Sequence, residues 1–446
     1  MNTVALPRTP APAPAYKRFS SAAGEHLLVV PHSRIYDLPE AMAAAVDWRE
    51  PDISALIDTL GLTTAGEASL DLVPEPAPQS ISLNVSSACN LSCSYCYAGR
   101  GSFDGAQPRP MTGEVARNAV DRLLSTADPG APVTIGFLGG EPFANRPLIH
   151  ELTAYAAGEG RRRGFDVRFS VTTNGTLLQG DDVALMRRHG FAVTVSIDGG
   201  PAIQNSQRPS RAGQGSFERL LAPVRLLLAN PGPCKVAARA TVTRQDLDVA
   251  ARFCAIRSLG FRDVGFSPLR SVADGGALRD EDWPRYLDAL KTVAATELAA
   301  ARRGGAIVLA NLAIGLKEIA RGAAAPYPCG AGGGYFSVAA DGRWYACHRA
   351  IGKPDYALGD NAALDSNKRR EFLSGRHVHA QTECRSCWAR YLCSGGCHQE
   401  AHARSPGSCD FIRGWLEFCL TAYCELLDSR PDYFGVGCNT SSENVP

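Results

Sequence analysis

The chain has 446 residues, 45% of them hydrophobic, with 46 basic against 45 acidic residues and a formal net charge of +1. That length implies two or three domains with ample core, and the charge balance argues against a nucleic-acid face or a polybasic membrane anchor. No run of about 18 apolar residues suggests a membrane span. The start, Met1 to Arg18, is rich in Pro and Ala without an apolar secretory core, which predicts a disordered tail. Residues 24–38 read as two short strands around a polar turn, 39–48 and 52–60 as short helices, and Val73–Pro78 as a linker. A module of this size, residues 19–78, has too little core to stand undocked.

From residue 81 apolar strands alternate with amphipathic helices. Strands are predicted at 81–87, 132–138, 166–173, 191–197, 235–243 and 263–268, with helices at 112–127, 147–163, 181–189, 217–229, 246–259 and 281–303. Six strand–helix units with near-continuous apolar strands imply an α/β fold of parallel strands covered by helices, too few for a closed eight-stranded barrel. The expected architecture is a partial (β/α)6 barrel over 79–320. Near 310–325 the character changes to a cysteine-rich region, 321–430, that needs metal to fold, followed by a tail over 431–446.

Fifteen cysteines without an export signal point to a reducing cytoplasmic setting, where they read as metal ligands rather than disulfides. Ten fall into spaced groups; Cys234, Cys254, Cys419, Cys424 and Cys438 do not and read as small hydrophobes. Cys89, Cys93 and Cys96 form a CxxxCxxC loop directly after the first strand. Three thiolates can hold three corners of a 4Fe–4S cube and leave one iron open, whereas structural clusters and structural zinc sites close their fourth position.

This loop, with Tyr95 before its last cysteine, resembles the signature of the radical S-adenosylmethionine superfamily. The second strand ends in Gly139-Gly140-Glu141-Pro142, like the GGEP element of that superfamily, whose glycines let backbone approach the ligand. The third ends in Thr172-Thr173-Asn174-Gly175-Thr176 and the fourth in Ser196-Ile197-Asp198-Gly199-Gly200, with Arg208 following. The resemblance implies that Tyr95, Gly139, Gly140, Glu141, Asn174, Ser196, Asp198 and Arg208 bind S-adenosylmethionine, serine and arginine at its ribose and carboxylate. Leu269, at the end of the sixth strand, is an adenine contact or simple packing. Asn174-Gly175 and Asp198-Gly199 are also ordinary turn chemistry.

The later cysteines resemble the SPASM extension of the same superfamily, which holds two auxiliary 4Fe–4S clusters. That resemblance implies Cys329, Cys347 and Cys397 for the first cluster and Cys384, Cys387, Cys393 and Cys409 for the second, for three clusters in all. Cys419 and Cys424 compete with Cys409 for the last position, and a pair of zinc sites is the alternative for the whole set. Where sulfatase-maturing relatives have another cysteine this chain has Tyr335, so the first auxiliary cluster is expected to keep an open iron. Where they have an aspartate proton acceptor it has His348, which is either an acceptor or a surface residue.

The segment from Cys387 to His398 is similar to thioether-forming peptide maturases, including the maturase of quinohaemoprotein amine dehydrogenase. The implied function is a RiPP-type peptide maturase that generates a 5′-deoxyadenosyl radical and installs a thioether or carbon–carbon cross-link in a ribosomally made peptide or protein subunit. The N-terminal module is a leader-peptide grip by strand addition or a plain capping element. A flavodoxin or ferredoxin would supply electrons. The alternatives are an anaerobic sulfatase maturase, a small-molecule SPASM dehydrogenase and, from another class, a zinc-binding scaffold.

Overall fold

The computed structural model describes residues 16–45, 75–99, 103, 107, 109–270, 276–322, 324–401 and 404–435. The expected tail up to residue 15, the end of the first short helix, the helix at 52–60, the first two linker residues and the C-terminal tail beyond 435, with Cys438, lie outside them.

Six parallel strands run side by side in chain order: β4 (Ser80–Ser86), β5 (Val133–Gly139), β6 (Val167–Thr173), β7 (Ala192–Ser196), β8 (Lys235–Val242) and β9 (Val264–Pro268). The helices between them follow the expected positions closely: Gly113–Thr126, Arg146–Arg163, Gly180–His189, Phe217–Ala229, Val249–Ser258 and Asp282–Arg302. The first of these starts where the Thr112 side chain accepts from Val115 N, and Gly164, Gly190 and Gly322 close three helices in left-handed conformations.

The strands are less uniformly apolar than expected. On β4, Ile81, Leu83 and Val85 are buried in the main core, while Ser82 and Asn84 alternate with them. On β8, Ala238, Ala240 and Val242 join that core, and Arg239 and Thr241 fall on the other face. An open barrel has one face packed under helices and one concave face free to be polar, so period-two alternation replaces the continuous apolar run.

Three short strands in the cysteine-rich region were absent from the sequence reading. β10 (Tyr335–Val338) pairs in parallel with β4, Tyr335 beside Ser80 and Val338 beside Leu83. β11 (Arg343–Tyr345) and β12 (Ala357–Asp360) continue antiparallel, giving a nine-stranded sheet. The C-terminal helix, Pro406–Ser429, packs back on helix Asp282–Arg302: Phe411 lies 4.9 Å from Tyr286 and 5.5 Å from Trp283 between ring centroids. Gly315, in the helix Ala310–Arg321, makes room for Cys419, since a Cβ there would sit 2.8 Å from the sulfur.

At the N-terminus, β1 (Tyr16–Ser21), β2 (Gly24–Val29) and β3 (Arg34–Leu38) form an antiparallel sheet in that order. This is three strands rather than two, and Tyr16–Arg18, expected in the tail, open β1. The pairing of Tyr16 to Ser21 with Val29 to Gly24 supplies the partner that the isolated segment lacks. The sheet is docked as its size requires: Phe19, Leu28 and Val30 belong to the main core, and Lys17 pairs with Glu417 at 2.9 Å.

Candidate functional site

The three-cysteine loop begins where β4 ends. Backbone bonds fix it against the chain after the fourth strand: Ser92 N donates to Pro209 O at 2.7 Å and Ser94 N to Gln207 O at 3.1 Å. Cys89, Cys93 and Cys96 are all half-buried on it. Gly140 N donates to Ser86 O and Glu141 N to Ala88 O, so the GGEP turn lies directly on the start of the loop. A Cβ on Gly140 would stand 2.4 Å from Ser87 O, and Gly139 has φ +152° with a virtual Cβ 2.1 Å from Ser86 O. The glycines thus serve close backbone approach, as expected, but the structure shows that approach made to the cysteine loop.

Glu141, expected at the cofactor, has both oxygens taken by the protein. It is fully buried, one oxygen accepting from Thr173 Oγ1 at 2.7 Å and Phe143 N at 3.1 Å, the other from Asn174 N at 2.8 Å. Burial pushes its carboxyl up to about 7 despite these donors. It ties the end of β5 to the end of β6, and thereby places Asn174, whose side-chain amide donates to Asn90 Oδ1 at 3.0 Å and lies 3.9 Å from Cys89 Sγ.

A second anchor closes the other side. Asp198 is fully buried and accepts from the Tyr95 hydroxyl, from Arg208 Nε at 3.0 Å and Nη2 at 3.3 Å, and from Thr241 N at 2.8 Å. The Arg208 guanidinium also lies over the Tyr95 ring at 5.3 Å. Tyr95, Asp198 and Arg208 were expected to hold cofactor; the structure turns their polar atoms on one another, because a buried arginine needs a nearby counter-charge. Ser196 stands half-buried at the end of β7. Leu269 is buried, its backbone bonded to Val242 O and Leu278 N.

The later cysteines gather in two places. Cys384, Cys387, Cys393, Cys397 and Cys409 all line one cavity of about 320 Å³. Cys397 is near enough to raise the thiols of both Cys329 and Cys347, and Cys329 that of Cys347. Cys419 and Cys424 are buried in the main core, away from both groups. Tyr335 turns its hydroxyl to Ser82 Oγ at 2.7 Å and His348 Nδ1 at 3.1 Å. His348 is half-buried rather than on the surface, 3.8 Å from Cys347 Sγ, and burial holds its imidazole down at about 4.

These sites fit iron–sulfur clusters on their own chemistry. Burial pushes the Cys89 thiol up to about 12 and those of Cys347 and Cys393 to about 11, so protein alone keeps them neutral and a bound cation would be needed to make them thiolates. A cavity of about 320 Å³ lined by five thiols exceeds what one ion fills. Among the described residues no three His, Cys, Asp or Glu side chains are drawn together as tightly as a single ion requires. Beside the Cys329 group, Tyr327 Oη, His398 Nε2 and Arg376 Nη2 are buried without a hydrogen-bond partner, and Arg376 is felt at both Cys329 and Cys397. Unspent donors suit sulfur acceptors.

The sequence reading missed the arginines around these thiols. Arg404 Nη1 donates to Cys384 Sγ at 3.1 Å, and Arg349 Nη1 stands 4.0 Å from Cys397 Sγ while pairing with Glu400 at 2.6 Å. Glu400 also pairs with Arg270, at the end of β9, at 3.2 Å, bridging barrel and cysteine-rich region. No motif marks these residues; only folding brings them to the sulfurs.

Among known proteins, residues 83–242 match the Radical SAM superfamily. The serine-type anaerobic sulfatase-maturating enzyme of Klebsiella pneumoniae is 24% identical over 346 residues, 74% of this chain and 84% of the relative. The solved structure of anSMEcpe with bound AdoMet superposes with a TM-score of 0.65 at 21% identity, covering 79% of this chain and 94% of that one. SuiB of Streptococcus suis, solved with S-adenosylmethionine, superposes at 0.53 and 13% identity over 89% and 98% of the two chains, and its complex with the precursor peptide SuiA at 0.50. No helix among the described residues is long and apolar enough to cross a membrane.

Proposed function

We propose, for an enzyme that carries a radical SAM domain over residues 83–242, the role of a peptide maturase that forms a cross-link, thioether or carbon–carbon, in a ribosomally made peptide or protein subunit. The domain implies S-adenosylmethionine and a 4Fe–4S cluster, which together supply a 5′-deoxyadenosyl radical. Cys89, Cys93 and Cys96 would hold that cluster, and Cys329/Cys347/Cys397 with Cys384/Cys387/Cys393/Cys409 two auxiliary ones.

The observation that carries this reading is the meeting of two separately encoded thiol groups with one open barrel. The loop stands at the C-terminal ends of the strands, where barrels of parallel strands place their chemistry, and β10 of the cysteine-rich region is paired directly to β4 beneath it. The chain's residues then divide the work. Glu141 and Asp198 brace the strand ends, Asn174 holds the Cys89 side of the loop, and Ser82, Tyr335 and Ser337 present hydroxyls on the concave face. His348, neutral at pH 7, keeps a ring nitrogen able to accept a proton.

The leader-peptide role of the N-terminal sheet is supported by an edge strand that pairs with no further strand among the described residues. The C-terminal helix covers β1, where Thr421 Oγ1 donates to Ser20 O at 3.3 Å and Ala22 N to Glu425 at 3.4 Å. β3 is the opposite edge and the one placed to accept an added strand. SuiB, solved with its precursor peptide, shares the fold.

Sulfatase maturation is the second reading, favoured by the names of the Klebsiella relative and of anSMEcpe. Reduced full-length protein incubated with S-adenosylmethionine and a candidate peptide decides the matter. The maturase reading expects 5′-deoxyadenosine and a product lighter by two hydrogens, with the new bond mapped by tandem mass spectrometry. Modification of a sulfatase-derived peptide alone would transfer support to the second reading, and absence of 5′-deoxyadenosine would overturn both.

A further inference from the structure

The second auxiliary thiol group differs from the radical loop in the charge held against its sulfurs. Arg404 is locked in place: Nη1 donates to Cys384 Sγ at 3.1 Å, while Nη2 donates to Gln381 Oε1 at 2.7 Å and to Gly395 O. Arg413, on the C-terminal helix, lies near enough to Cys387 for the two to feel each other, and is paired with Asp410. Of the acids around the same cavity, Glu400 is spent on Arg270 and Arg349, and Glu383 is exposed. One of the four thiols therefore receives an N–H from a guanidinium, and a second has another guanidinium close by.

At the radical loop the donors are neutral. Cys89 Sγ accepts from Leu91 N at 3.4 Å and faces the Asn174 amide at 3.9 Å. Among the described residues the arginine felt at Cys93 is Arg208, whose charge is matched by Asp198. The acid beside Cys89 is Glu141, whose oxygens are taken by Thr173, Phe143 and Asn174.

Adding an electron to an iron–sulfur cluster increases its negative charge, most of it on the sulfurs. Fixed cations and N–H donors at those sulfurs favour the reduced state; neutral or anionic surroundings favour the oxidised one. We propose that Arg404, supported by Arg413, is a positioning residue that sets the reduction potential of the second auxiliary site above that of the radical loop. The inference rests on the reading that Cys384, Cys387, Cys393 and Cys409 hold a cluster. Its consequence is directional: an electron shared between the sites resides at the arginine-flanked one, leaving the loop the stronger reductant.

The test uses the full chain with Cys89, Cys93 and Cys96 all changed to Ala, so that only auxiliary clusters load, followed by dithionite titration under electron paramagnetic resonance with iron counted in parallel. Arg404→Gln is expected to lower the reduced-to-oxidised ratio of one auxiliary signal about tenfold at fixed potential, about 59 mV for a one-electron couple. The other signal should stay in place. Arg404→Lys keeps the charge but not the fork and should shift the same signal less. Equal iron and unchanged titration in Arg404→Gln would overturn the proposal. Should that variant lose iron, Arg413→Gln must shift the same signal downward, and an unshifted, iron-loaded Arg413→Gln overturns it instead. Failure of the underlying reading looks different: the parent protein itself would show no reducible cluster.

Discussion

The radical loop and the second auxiliary cavity use the same ligand atom in opposite surroundings. Around Cys89, Cys93 and Cys96 the protein supplies three thiols, neutral donors and charges cancelled in pairs, Arg208 against Asp198 and the Glu141 carboxyl against backbone N–H groups. Around Cys384, Cys387, Cys393 and Cys409 it supplies four thiols and arginines aimed at sulfur. An incomplete ligand set leaves room for a co-substrate, and a complete one closes the site. Under the proposed function, that difference would separate a site that reacts from one that holds charge.

The comparison breaks most visibly at the loop. Changing Cys89, Cys93 and Cys96 together to Ala should abolish S-adenosylmethionine cleavage and remove about four of about twelve irons, leaving the auxiliary complement loaded; loss of all iron would show that the sites are not independent. Next in size, Asp198→Asn strands Arg208 in a buried position and should cost about 3 kcal/mol in urea unfolding. A loss below about 1 kcal/mol would mean that the anchor is not structural.

Gly140→Ala should push the Ser87–Ala88 carbonyls aside and lower iron at the loop while leaving the auxiliary signals unchanged. The smallest effect is in pH. Glu141 titrates near 7 when folded against 4.5 for the free side chain, so the folded state holds the extra proton between those values. Stability attributable to Glu141 is therefore greatest below about pH 4.5, falls as pH rises to about 7, and is level above. Glu141→Gln should flatten that slope in thermal melts measured across the window; a slope that persists would assign it to other groups.

What the sequence carried, and what it did not, follows from range. The six barrel strands and their helices were legible because each is written by local alternation and by caps such as Thr112 and Gly190. The CxxxCxxC spacing of Cys89, Cys93 and Cys96 is local and visible in the sequence, whereas the division of the later, dispersed cysteines between two clusters was implied only by family resemblance. β10 was not, since its partner β4 lies some 250 residues earlier and four residues give too short a pattern. β1 follows a Pro/Ala-rich stretch and shows itself only through its pairing with β2. The pairing of Arg208 with Asp198 was not legible for a physical reason. A fork that suits a ligand carboxylate suits a protein carboxylate equally, and only the fold shows which one is ten residues away and 3.0 Å distant. Arg404 carries no pattern at all.

Electron paramagnetic resonance of the reduced, full-length protein before and after adding S-adenosylmethionine tests the division between an open and a closed site most directly. The predicted result is that one cluster signal changes on addition while the others do not, and that this response is absent when Cys89, Cys93 and Cys96 are replaced by Ala. A spectrum indifferent to S-adenosylmethionine, or one that responds equally without those three cysteines, would contradict it.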